Sequence, residues 1–373
     1  MRIAFYPSFR ALNHDRSSGL VSIARDVFSA MQTEGHDAFI PLDQSMEWIY
    51  LRPQAWLNTL RQAWHGDKAL KLRRPDCWLT YHTYYRGPDL IGPLLSRRNN
   101  LPYFILAASY ATKYRKQLKT WIGFHLNRRA LQHADMIFVN KLRDVENLRR
   151  LLPAERITYI RPGIRTQSFP MDPALRHSIR SKLSLQEKRV VVTAAMMRPG
   201  VKEEGIAFVI EACARIRPGI NDLHLLIAGD GPGRARLEEQ ARRLLPGAYT
   251  FAGRIPAAEM HGIYNAGDVF AFPGINESLG MVYLEAQCCG LPVVATSHDG
   301  APEVVADKET GRIVPPFSLP DFAGALFSLL TDSELRDRYS QEARELVHRM
   351  HDVATNYKTM FAVMENICAR RRL

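Results

Sequence analysis

The sequence predicts an α/β protein with two Rossmann-like domains, each built around a parallel β-sheet. Short apolar stretches rich in β-branched and aromatic residues alternate with longer helix-like stretches along the chain. Such alternation is typical of parallel sheets with helices on both faces. A length of 373 residues favours two domains of moderate size over one. Ligands of such sheets bind outside the carboxyl ends of the strands, so candidate functional residues should follow strands.

The same alternation predicts individual elements in both halves of the chain. In the first half the strands are Arg2–Ser8, Asp37–Leu42, Asp76–Tyr81, Pro102–Ala108, Met136–Asn140 and Ile157–Ile160. The main helices between them are Gly19–Glu34, Asp89–Arg98, Lys113–His133 and Lys141–Leu152. In the second half the strands are Arg189–Met196, His224–Ala228, Tyr249–Ala252, Asp268–Phe272, Pro292–Thr296 and Gly311–Val314. A final helix is expected at about Asp352–Arg371.

The domain boundary is predicted near Gln167–Ala174, where two prolines interrupt regular structure. This gives a first domain of residues 1–168 and a second of residues 169–351, followed by the C-terminal helix 352–373. At 46% hydrophobic and 24% charged residues, the composition is that of a soluble globular enzyme. We expect no signal peptide and no membrane span. The five cysteines form no C-x-x-C, which favours reduced thiols in the cytoplasm over disulfides or a zinc site.

The positive charge is confined to the first half of the chain. Residues 1–170 contain 26 Lys/Arg against 13 Asp/Glu, whereas the net charge of the whole chain is +12. This asymmetry indicates an anionic partner: a lipid surface, a phosphorylated glycan or nucleic acid. Trp48, Trp56, Trp64 and Trp121 lie in segments rich in Lys and Arg. Such segments suit a helix lying on anionic lipid, but equally a core-packed helix with a solvated basic face.

The stretch Asp268–Thr296 carries the strongest functional signal. It is predicted to run strand, loop, helix, turn, strand, with Asn276 or Ser278 capping the helix. Gly280 lets a ligand approach the backbone closely. A helix N-terminus favours an anion such as a diphosphate, whereas Glu277 beside it would repel one. The Glu277 carboxylate fits there if it faces the hydroxyl groups of a sugar that is attached to the phosphates, as in a sugar nucleotide.

This stretch resembles a known family. E-S-L-G-M-V-Y-L-E-A-Q-C-C-G-L-P-V-V-A-T is similar to the E-x7-E segment of retaining GT-B glycosyltransferases, specifically glycosyltransferase family 4. The resemblance implies two Rossmann-like domains facing each other across a donor cleft, with the C-terminal helix crossing back onto the first. It implies that Glu277 is catalytic, holding sugar hydroxyls, and that Glu285 binds the ribose. Donor contacts are also expected from Ser278, Leu279 and Gly280. The alternative is an ordinary strand-helix-strand unit with two solvated acids.

Other residues are assigned by the same resemblance. Arg198 and Lys202, after a predicted strand, resemble the cations that hold the donor diphosphate; alternatively they are solvated loop residues. Gly19 resembles the glycine-rich first loop, although an ordinary capped helix start fits equally. Gly229–Gly233 resembles a tight strand-to-helix turn rather than a dinucleotide fingerprint.

On the acceptor side, His82 stands where many relatives carry a catalytic His, but a His satisfied at a strand end is as good an interpretation. After the next strand, relatives often have a second His where this chain has Ala108, Ser109 and Tyr110. The residue that replaces it is not identified from the sequence.

These observations lead to an expected function. The chain contains no D-x-D pair, so we expect a metal-independent site and no cofactor. The resemblance implies retaining transfer of a hexose from a nucleotide-diphosphate sugar to a glycan or glycolipid, such as lipopolysaccharide core or a lipid-linked glycan. The expected location is the cytoplasm, peripheral at the inner membrane face, with no nucleic-acid partner. Alternatives are a sugar-nucleotide epimerase, a phosphorylase or a non-catalytic homologue that binds nucleotide sugars.

Overall fold

The computed structural model describes residues 1–9, 19–275 and 279–372. The chain forms two compact units, one of Met1–Arg161 with Ala354–Leu373 and one of Pro162–Val353. Over the described residues, each unit contains one six-stranded sheet, and all the pairings within both sheets are parallel. The prediction of an α/β protein with two Rossmann-like domains is confirmed.

Unit 1 is built on a sheet of strand order β2-β1-β3-β4-β5-β6. Its strands are β1 Arg2–Pro7, β2 Asp37–Phe39, β3 Cys77–Tyr81, β4 Tyr103–Leu106, β5 Met136–Val139 and β6 Ile157–Tyr159. Its helices before the unit boundary are α1 Gly19–Thr33, α2 Gln54–Arg73, α3 Gly92–Arg98, α4 Leu118–His133 and α5 Leu142–Arg149. Every residue of β3, β4 and β5 is buried, as expected for central strands covered on both faces.

Unit 2 has the strand order β12-β11-β10-β7-β8-β9. Its strands are β7 Arg189–Ala194, β8 Leu223–Ala228, β9 Tyr249–Gly253, β10 Val269–Ala271, β11 Val293–Thr296 and β12 Gly311–Val314. Its helices are α6 Pro173–Lys182, α7 Val201–Ile216, α8 Arg234–Leu244, α9 Met260–Asn265, α10 Met281–Cys288, α11 Ala301–Val304, α12 Leu319–Thr331 and α13 Ser333–Met350. The chain leaves β7 towards β8 and later returns to its other side at β10. The direction of winding therefore reverses between β7 and β10, which defines a ligand-binding crevice.

The last helix, α14 Val353–Arg372, packs within unit 1. The Phe361 ring meets His36 edge-on, with ring centroids 4.9 Å apart. Near the end of the helix, the Cys368 thiol donates to the carbonyl of Asp76, and Arg371 pairs with Asp135 at 3.0 Å. These contacts account for the assignment of residues from Ala354 onward to the same unit as the N-terminal sheet.

The structure divides the chain at Pro162, a few residues before the predicted boundary near Gln167–Ala174. The segment after Pro162 is hydrogen-bonded within unit 2. Ile164 donates its backbone N–H to the carbonyl of His351, and the thiols of Cys288 and Cys289 donate to carbonyls of residues 166 and 169. The two prolines therefore lie inside unit 2, where Asp172 caps the start of α6.

The predicted helices differ from the observed ones at their ends. Lys113–His133 is divided into a short 3-10 turn, Thr112–Lys116, and helix α4. The predicted helix start at Asp89 is also wrong, because α3 begins at Gly92. The Asp89 carboxylate instead accepts hydrogen bonds from the N–H groups of Ile91 and Gly92, at 3.0 and 2.8 Å. Asp89 thus caps the helix from outside it.

Candidate functional site

The candidate site of unit 2 lies where the winding of the sheet reverses. Two connections leave the carboxyl ends of neighbouring strands there: 195–200 joins β7 to α7, and 272–280 joins β10 to α10. Phe272 is held in place because its carbonyl accepts from the Tyr283 hydroxyl at 3.1 Å. A Cβ on Gly205 of α7 would lie 2.8 Å from the Phe272 ring, so the two connections are packed closely together.

The two predicted cations lie on the connection after β7. Arg198 is exposed in the loop, and Lys202 is the second residue of α7. The Lys202 ammonium lies 5.2 Å from the centroid of the Phe272 ring, on the connection after β10. The structure therefore brings Arg198 and Lys202 to the crevice between β7 and β10. The neighbouring Glu203 carboxylate forms a bidentate pair with Arg236, at 2.6 and 2.7 Å.

The glycine-rich turn after β8 supports the loop that carries Arg198. Met197 donates to the carbonyl of Asp230 at 3.1 Å, and Gly233 donates to the carbonyl of Met197 at 2.8 Å. Gly229 has φ +133°, and a Cβ there would collide with the carbonyl oxygen of Ala195. The turn therefore needs glycine for close backbone packing, in agreement with its predicted structural role.

The connection after β10 contains the predicted residues Glu277 and Ser278, which lie outside the described residues, as does the alternative cap Asn276. The described part resumes at Leu279, which is half-buried. Gly280 has φ +68° and precedes the first residue of α10, and a Cβ there would lie 2.6 Å from a Val304 methyl. A side chain at Gly280 would thus be excluded by both backbone conformation and packing.

Glu285 lies inside α10, as predicted, and is held by a buried tyrosine. The Tyr264 hydroxyl donates to the Glu285 carboxylate at 2.7 Å. Burial, and then the Glu285 charge, raise the pKa of Tyr264 well above its ordinary value, so the phenol stays protonated and keeps donating. One carboxylate oxygen is thereby fixed in position. Tyr264 was not identified from the sequence, because it lies on another helix, α9, just before the stretch Asp268–Thr296.

The loop after β11 packs near the start of α10. His298 is hydrogen-bonded to the Thr296 hydroxyl at 2.9 Å, and its ring meets Phe317 edge-on at 5.0 Å. Asp299 has a left-handed backbone, with φ of +41°. Glycine adopts this conformation more readily than other residues.

In unit 1, Gly19 is the first residue of α1. His82 directly follows β3 with φ +62°, and its ring lies among Phe9, Tyr81 and Tyr84. Burial first, and then the Lys141 charge, lower the pKa of His82 to about 4, while a hydrogen bond with the Ala107 backbone opposes the shift. The imidazole is therefore neutral at physiological pH, and it lies within unit 1 at the carboxyl end of β3.

A polar network missed by the sequence analysis joins the loops after β3, β4 and β5. The Ser109 hydroxyl donates to Asp144 at 3.1 Å, and the Asn127 amide donates to the Ser109 carbonyl at 2.9 Å. The Thr83 hydroxyl in turn donates to the Asn127 side-chain oxygen at 2.9 Å. Burial raises the pKa of Asp144, partly offset by Lys141 and Ser109. This network occupies the position where relatives were expected to carry a His.

The tryptophans of the basic segments are divided between core and surface. Trp48 packs against Tyr50 and Tyr85. By contrast, Trp56, Trp64 and Trp121 are 52%, 55% and 52% exposed. These three tryptophans are therefore not core residues, although both helices pack a buried face, with Leu70 on α2 and Phe124 on α4. No described helix is long and apolar enough to cross a membrane. Within the described ranges, no cluster of His, Cys, Asp and Glu is arranged to hold a metal ion.

Comparisons with known proteins agree with the resemblance found in the sequence. Residues 176–346 match the family model described as glycosyl transferases group 1. The chain is 31% identical over 228 residues to an alpha-D-kanosaminyltransferase of Streptomyces kanamyceticus, covering 61% of this chain and 58% of that protein. It is 35% identical over 188 residues to a GDP-mannose-dependent alpha-(1-6)-phosphatidylinositol monomannoside mannosyltransferase of Mycolicibacterium smegmatis, covering 48% of each. The matches thus span about half the length of these relatives.

Solved structures match over nearly the whole chain. Anabaena HepE in complex with UDP superposes with a TM-score of 0.76 at 18% identity, covering 98% of this chain and all of that one. WaaG, a glycosyltransferase involved in lipopolysaccharide biosynthesis, gives a TM-score of 0.67 at 18% identity, covering 96% and 98%. At this identity the likeness establishes the fold, which is that of GT-B glycosyltransferases.

Proposed function

We propose that this protein transfers a hexose from a nucleotide-diphosphate sugar to a glycan acceptor with retention of anomeric configuration, because residues 176–346 match the family model of glycosyl transferases group 1. The observation that carries the proposal is the pair Arg198 and Lys202 at the crevice between β7 and β10. Two cations there neutralise a diphosphate as its negative charge grows during departure. In this proposal Glu277 holds the sugar hydroxyls and Glu285, fixed by Tyr264, holds the ribose.

The proposed mechanism needs no nucleophile from the protein. The acceptor hydroxyl attacks the anomeric carbon from the face that the nucleoside diphosphate leaves, and an oxygen of the departing phosphate takes its proton. The protein contributes positioning and charge stabilisation. Arg198, Lys202 and the N-terminus of α10 provide the positive charge, so the reaction is proposed to require no divalent metal and no cofactor.

A donor screen tests this function. Thermal unfolding is measured with UDP-, GDP- and ADP-sugars, since a ligand that binds the folded state raises its stability by mass action. The donor that raises the melting temperature is then incubated with protein, and proton NMR follows nucleotide release and the anomeric signal of the product. An α-linked donor should give an α-linked product. An inverted product, or a failure of every nucleotide sugar to stabilise the protein, contradicts the proposal.

The surface of α2 and α4 favours an acceptor located at a membrane. Trp56, Leu60 and Trp64 are spaced four residues apart on α2, which places them on one helix face, and all three are more than half exposed. On α4, Leu118 is 94% exposed. Between residues 51 and 129 the chain has 15 Lys/Arg and 3 Asp/Glu. Exposed aromatic and aliphatic side chains among cations suit an anionic lipid surface.

We therefore propose that the acceptor is a lipid-linked glycan or lipopolysaccharide core and that unit 1 docks peripherally on the inner face of the cytoplasmic membrane. Each cation near an anionic surface contributes roughly 1 kcal/mol, and salt screens it. Vesicle co-sedimentation should show binding to anionic but not neutral lipid, lost at high salt. Exchanging Arg115, Lys116 and Lys119 for Glu should abolish it. Binding by this variant equal to wild type, or no binding to either vesicle, refutes the docking.

A further inference from the structure

An exposed aromatic side chain lies on the connection that follows β12. Phe317 is 68% exposed and has a left-handed backbone, with φ of +59°. Both conditions are unfavourable for this residue, because its apolar ring is left in water and its Cβ crowds the backbone. Glycine adopts the same conformation without strain. Phe317 therefore has no role in the core, and strained residues of this kind cluster at sites that bind ligands.

Phe317 is paired with a histidine from the neighbouring connection. The centroids of the Phe317 and His298 rings are 5.0 Å apart, and the rings meet edge-on at an interplanar angle of 76°. His298 follows β11, which is hydrogen-bonded to β12, so both residues lie at the carboxyl edge of the sheet. An edge-on contact covers at most one face of the Phe317 ring. The exposure of the side chain leaves its other face open to a ligand.

The hydrogen bonds of His298 determine which ring nitrogen carries the proton. The buried Thr296 hydroxyl donates to the carbonyl of Pro273, so its single proton is already used. His298 Nδ1 lies 2.9 Å from the same hydroxyl oxygen and therefore donates to it. In the neutral imidazole this leaves Nε2 without a proton, and within the described part of the chain Nε2 forms no hydrogen bond. His298 thus offers an oriented acceptor to a ligand hydroxyl.

This pair is continuous with the crevice between β7 and β10. The bond from Thr296 to Pro273 connects the loop after β11 to the connection after β10, which forms one side of the crevice. A Cβ added to Gly280 would lie 3.1 Å from the Gly300 carbonyl oxygen, so the loop that carries His298 also packs against the start of α10. A ligand with its phosphates in the crevice reaches this pair if the rest of it extends towards β11 and β12.

The charge of this edge favours a neutral group over a phosphate. Residues 296–300 and 314–319 contain no Lys or Arg, and their single acid is Asp299. The candidate phosphate ligands, Arg198 and Lys202, precede or begin α7 on the other side of β10. A pyranose has C–H groups on its faces and hydroxyls at its edge. It can therefore stack on an aromatic ring and donate to a neutral imidazole at the same time.

We propose that Phe317 and His298 bind the sugar that is transferred. Phe317 stacks on a C–H face of the sugar ring, and His298 Nε2 accepts from one of the sugar hydroxyls. This assignment rests on the proposed function, which places a nucleotide-diphosphate sugar in the crevice, and it adds two residues that recognise the sugar itself. Both should contribute to the affinity for a nucleotide sugar and not to that for the nucleoside diphosphate alone.

The test compares a nucleotide sugar with its own nucleoside diphosphate. Titration calorimetry on the full chain uses UDP-glucose, UDP-N-acetylglucosamine, GDP-mannose and ADP-glucose, with UDP, GDP and ADP as references. The ratio of the two dissociation constants isolates the contribution of the sugar, because the nucleoside and the phosphates are common to both ligands. Phe317→Ala should weaken the nucleotide sugar that binds wild type by about three- to tenfold, and its diphosphate by less than about twofold.

Further replacements separate the Phe317 ring from its backbone. Phe317→Gly also removes the ring but relieves the left-handed strain. It should lose the same sugar affinity while melting at or above the temperature of Phe317→Ala. Phe317→Tyr keeps the ring and should stay within about twofold of wild type. Phe327→Ala is the matched control, because it removes a phenylalanine of α12 that is 40% exposed, and it should leave the ratio unchanged.

Two replacements of His298 test the acceptor. His298→Gln places a side-chain oxygen near the position of Nε2 and should keep most of the affinity for the nucleotide sugar. His298→Asn places its amide near the position of Nδ1, so it retains a donor to Thr296 but has no acceptor at the position of Nε2. It should weaken the nucleotide sugar by about three- to tenfold. A purely structural role of His298 predicts the opposite order, because only Asn preserves the bond to Thr296.

Several results would overturn the assignment while the proposed function stands. These are an equal change of the ratio in Phe317→Ala and Phe327→Ala, an equal loss of nucleotide sugar and diphosphate in Phe317→Ala, and tighter binding by His298→Asn than by His298→Gln. Loss of anionic-vesicle binding in Phe317→Ala would also overturn it, because the ring would then serve the membrane. If wild type binds the diphosphates and no nucleotide sugar, or binds neither, the proposed function fails and this assignment with it.

Discussion

Removal of the Arg198 guanidinium is the sharpest test of the site in unit 2. Arg198 lies exposed on the loop after β7 and forms no ion pair within the described part of the chain. Arg198→Ala should therefore change the free energy of unfolding by less than about 0.5 kcal/mol. A change in turnover without a change in stability assigns the residue to the reaction rather than to the fold.

The size of the effect follows from the exposure of the side chain. A unit charge about 4 Å from the leaving phosphate is worth roughly 1 kcal/mol in water and roughly 4 kcal/mol at the effective dielectric of a protein surface. Arg198 is exposed when no donor is bound, and a bound donor displaces water from one side of it. An intermediate value of about 3 kcal/mol corresponds to a roughly hundredfold loss in turnover. Arg198→Lys restores the charge but not the planar fork, so it should recover part of the loss.

The assay measures nucleotide release from the donor identified by the thermal screen, over a range of donor concentrations. Turnover should fall more than donor affinity, because the interaction strengthens as charge develops on the leaving group. Arg215→Ala is the matched control, since it removes an exposed arginine from the far end of α7. If Arg198→Ala stays within about threefold of wild type, or Arg215→Ala loses as much activity, electrostatic stabilisation by Arg198 is refuted.

Three further outcomes are expected. Glu277→Gln should lower turnover by about two to three orders of magnitude with little change in donor affinity, whereas Glu204→Gln, an exposed acid in the first turn of α7, should have no effect. Activity should survive excess EDTA; loss that Mg²⁺ or Mn²⁺ restores would show that a metal is required. Because the pKa of His82 is lowered to about 4 from an ordinary 6.5, the unfolded chain binds the proton first as pH falls. Stability should then decline between pH 6.5 and 4 by up to about 3 kcal/mol, and urea titrations should show a smaller decline for His82→Gln.

Local patterns were sufficient to predict the sheets and the strand-turn-helix segments that carry the candidate residues of unit 2. The strands are apolar runs bounded by Pro, Gly or charged residues, so their positions depend on neighbours along the chain. Arg198, Lys202 and Glu285 also lie on strand-turn-helix units that can be read within about 30 residues. Because the direction of winding reverses between β7 and β10, two strand-turn-helix segments that are distant in sequence lie at one crevice.

Features that depend on long-range contacts could not be predicted in this way. The boundary at Pro162 is set by bonds from Ile164 to His351 and from Cys288 to Thr166, across more than 100 residues of sequence. Nothing near Ile164 indicates those partners. The Tyr264 hydroxyl that fixes Glu285 is likewise 21 residues away, on a different helix. A hydrogen-bond partner that is determined by the tertiary fold produces no periodic pattern in the sequence.

The carboxyl ends of β3, β4 and β5 in unit 1 depend on both local sequence and long-range contacts. His82 and Ala107 directly follow neighbouring strands, and both have left-handed backbones, with φ of +62° and +61°. Such conformations cost about 1 kcal/mol or more for residues other than glycine, so they persist only where surrounding bonds impose them. The backbone N–H of His82 donates to the Leu106 carbonyl, and that of Ala107 donates to the Phe138 carbonyl, each at 2.8 Å. These hydrogen bonds connect β3, β4 and β5 at their carboxyl ends.

These two turns explain how the polar network around Ser109 forms where the sequence lacks the expected second His. Each left-handed residue changes the direction of the chain immediately after its strand, before the segments that carry Tyr85 and Ser109. The hydrogen bond from the Ser109 hydroxyl to Asp144 lies immediately beyond the turn at Ala107. Replacement of Ala107 by glycine should relieve its strain and leave the fold intact. Urea titrations should show a free energy of unfolding equal to or above that of wild type, and a loss of more than about 1 kcal/mol would refute the strain at Ala107.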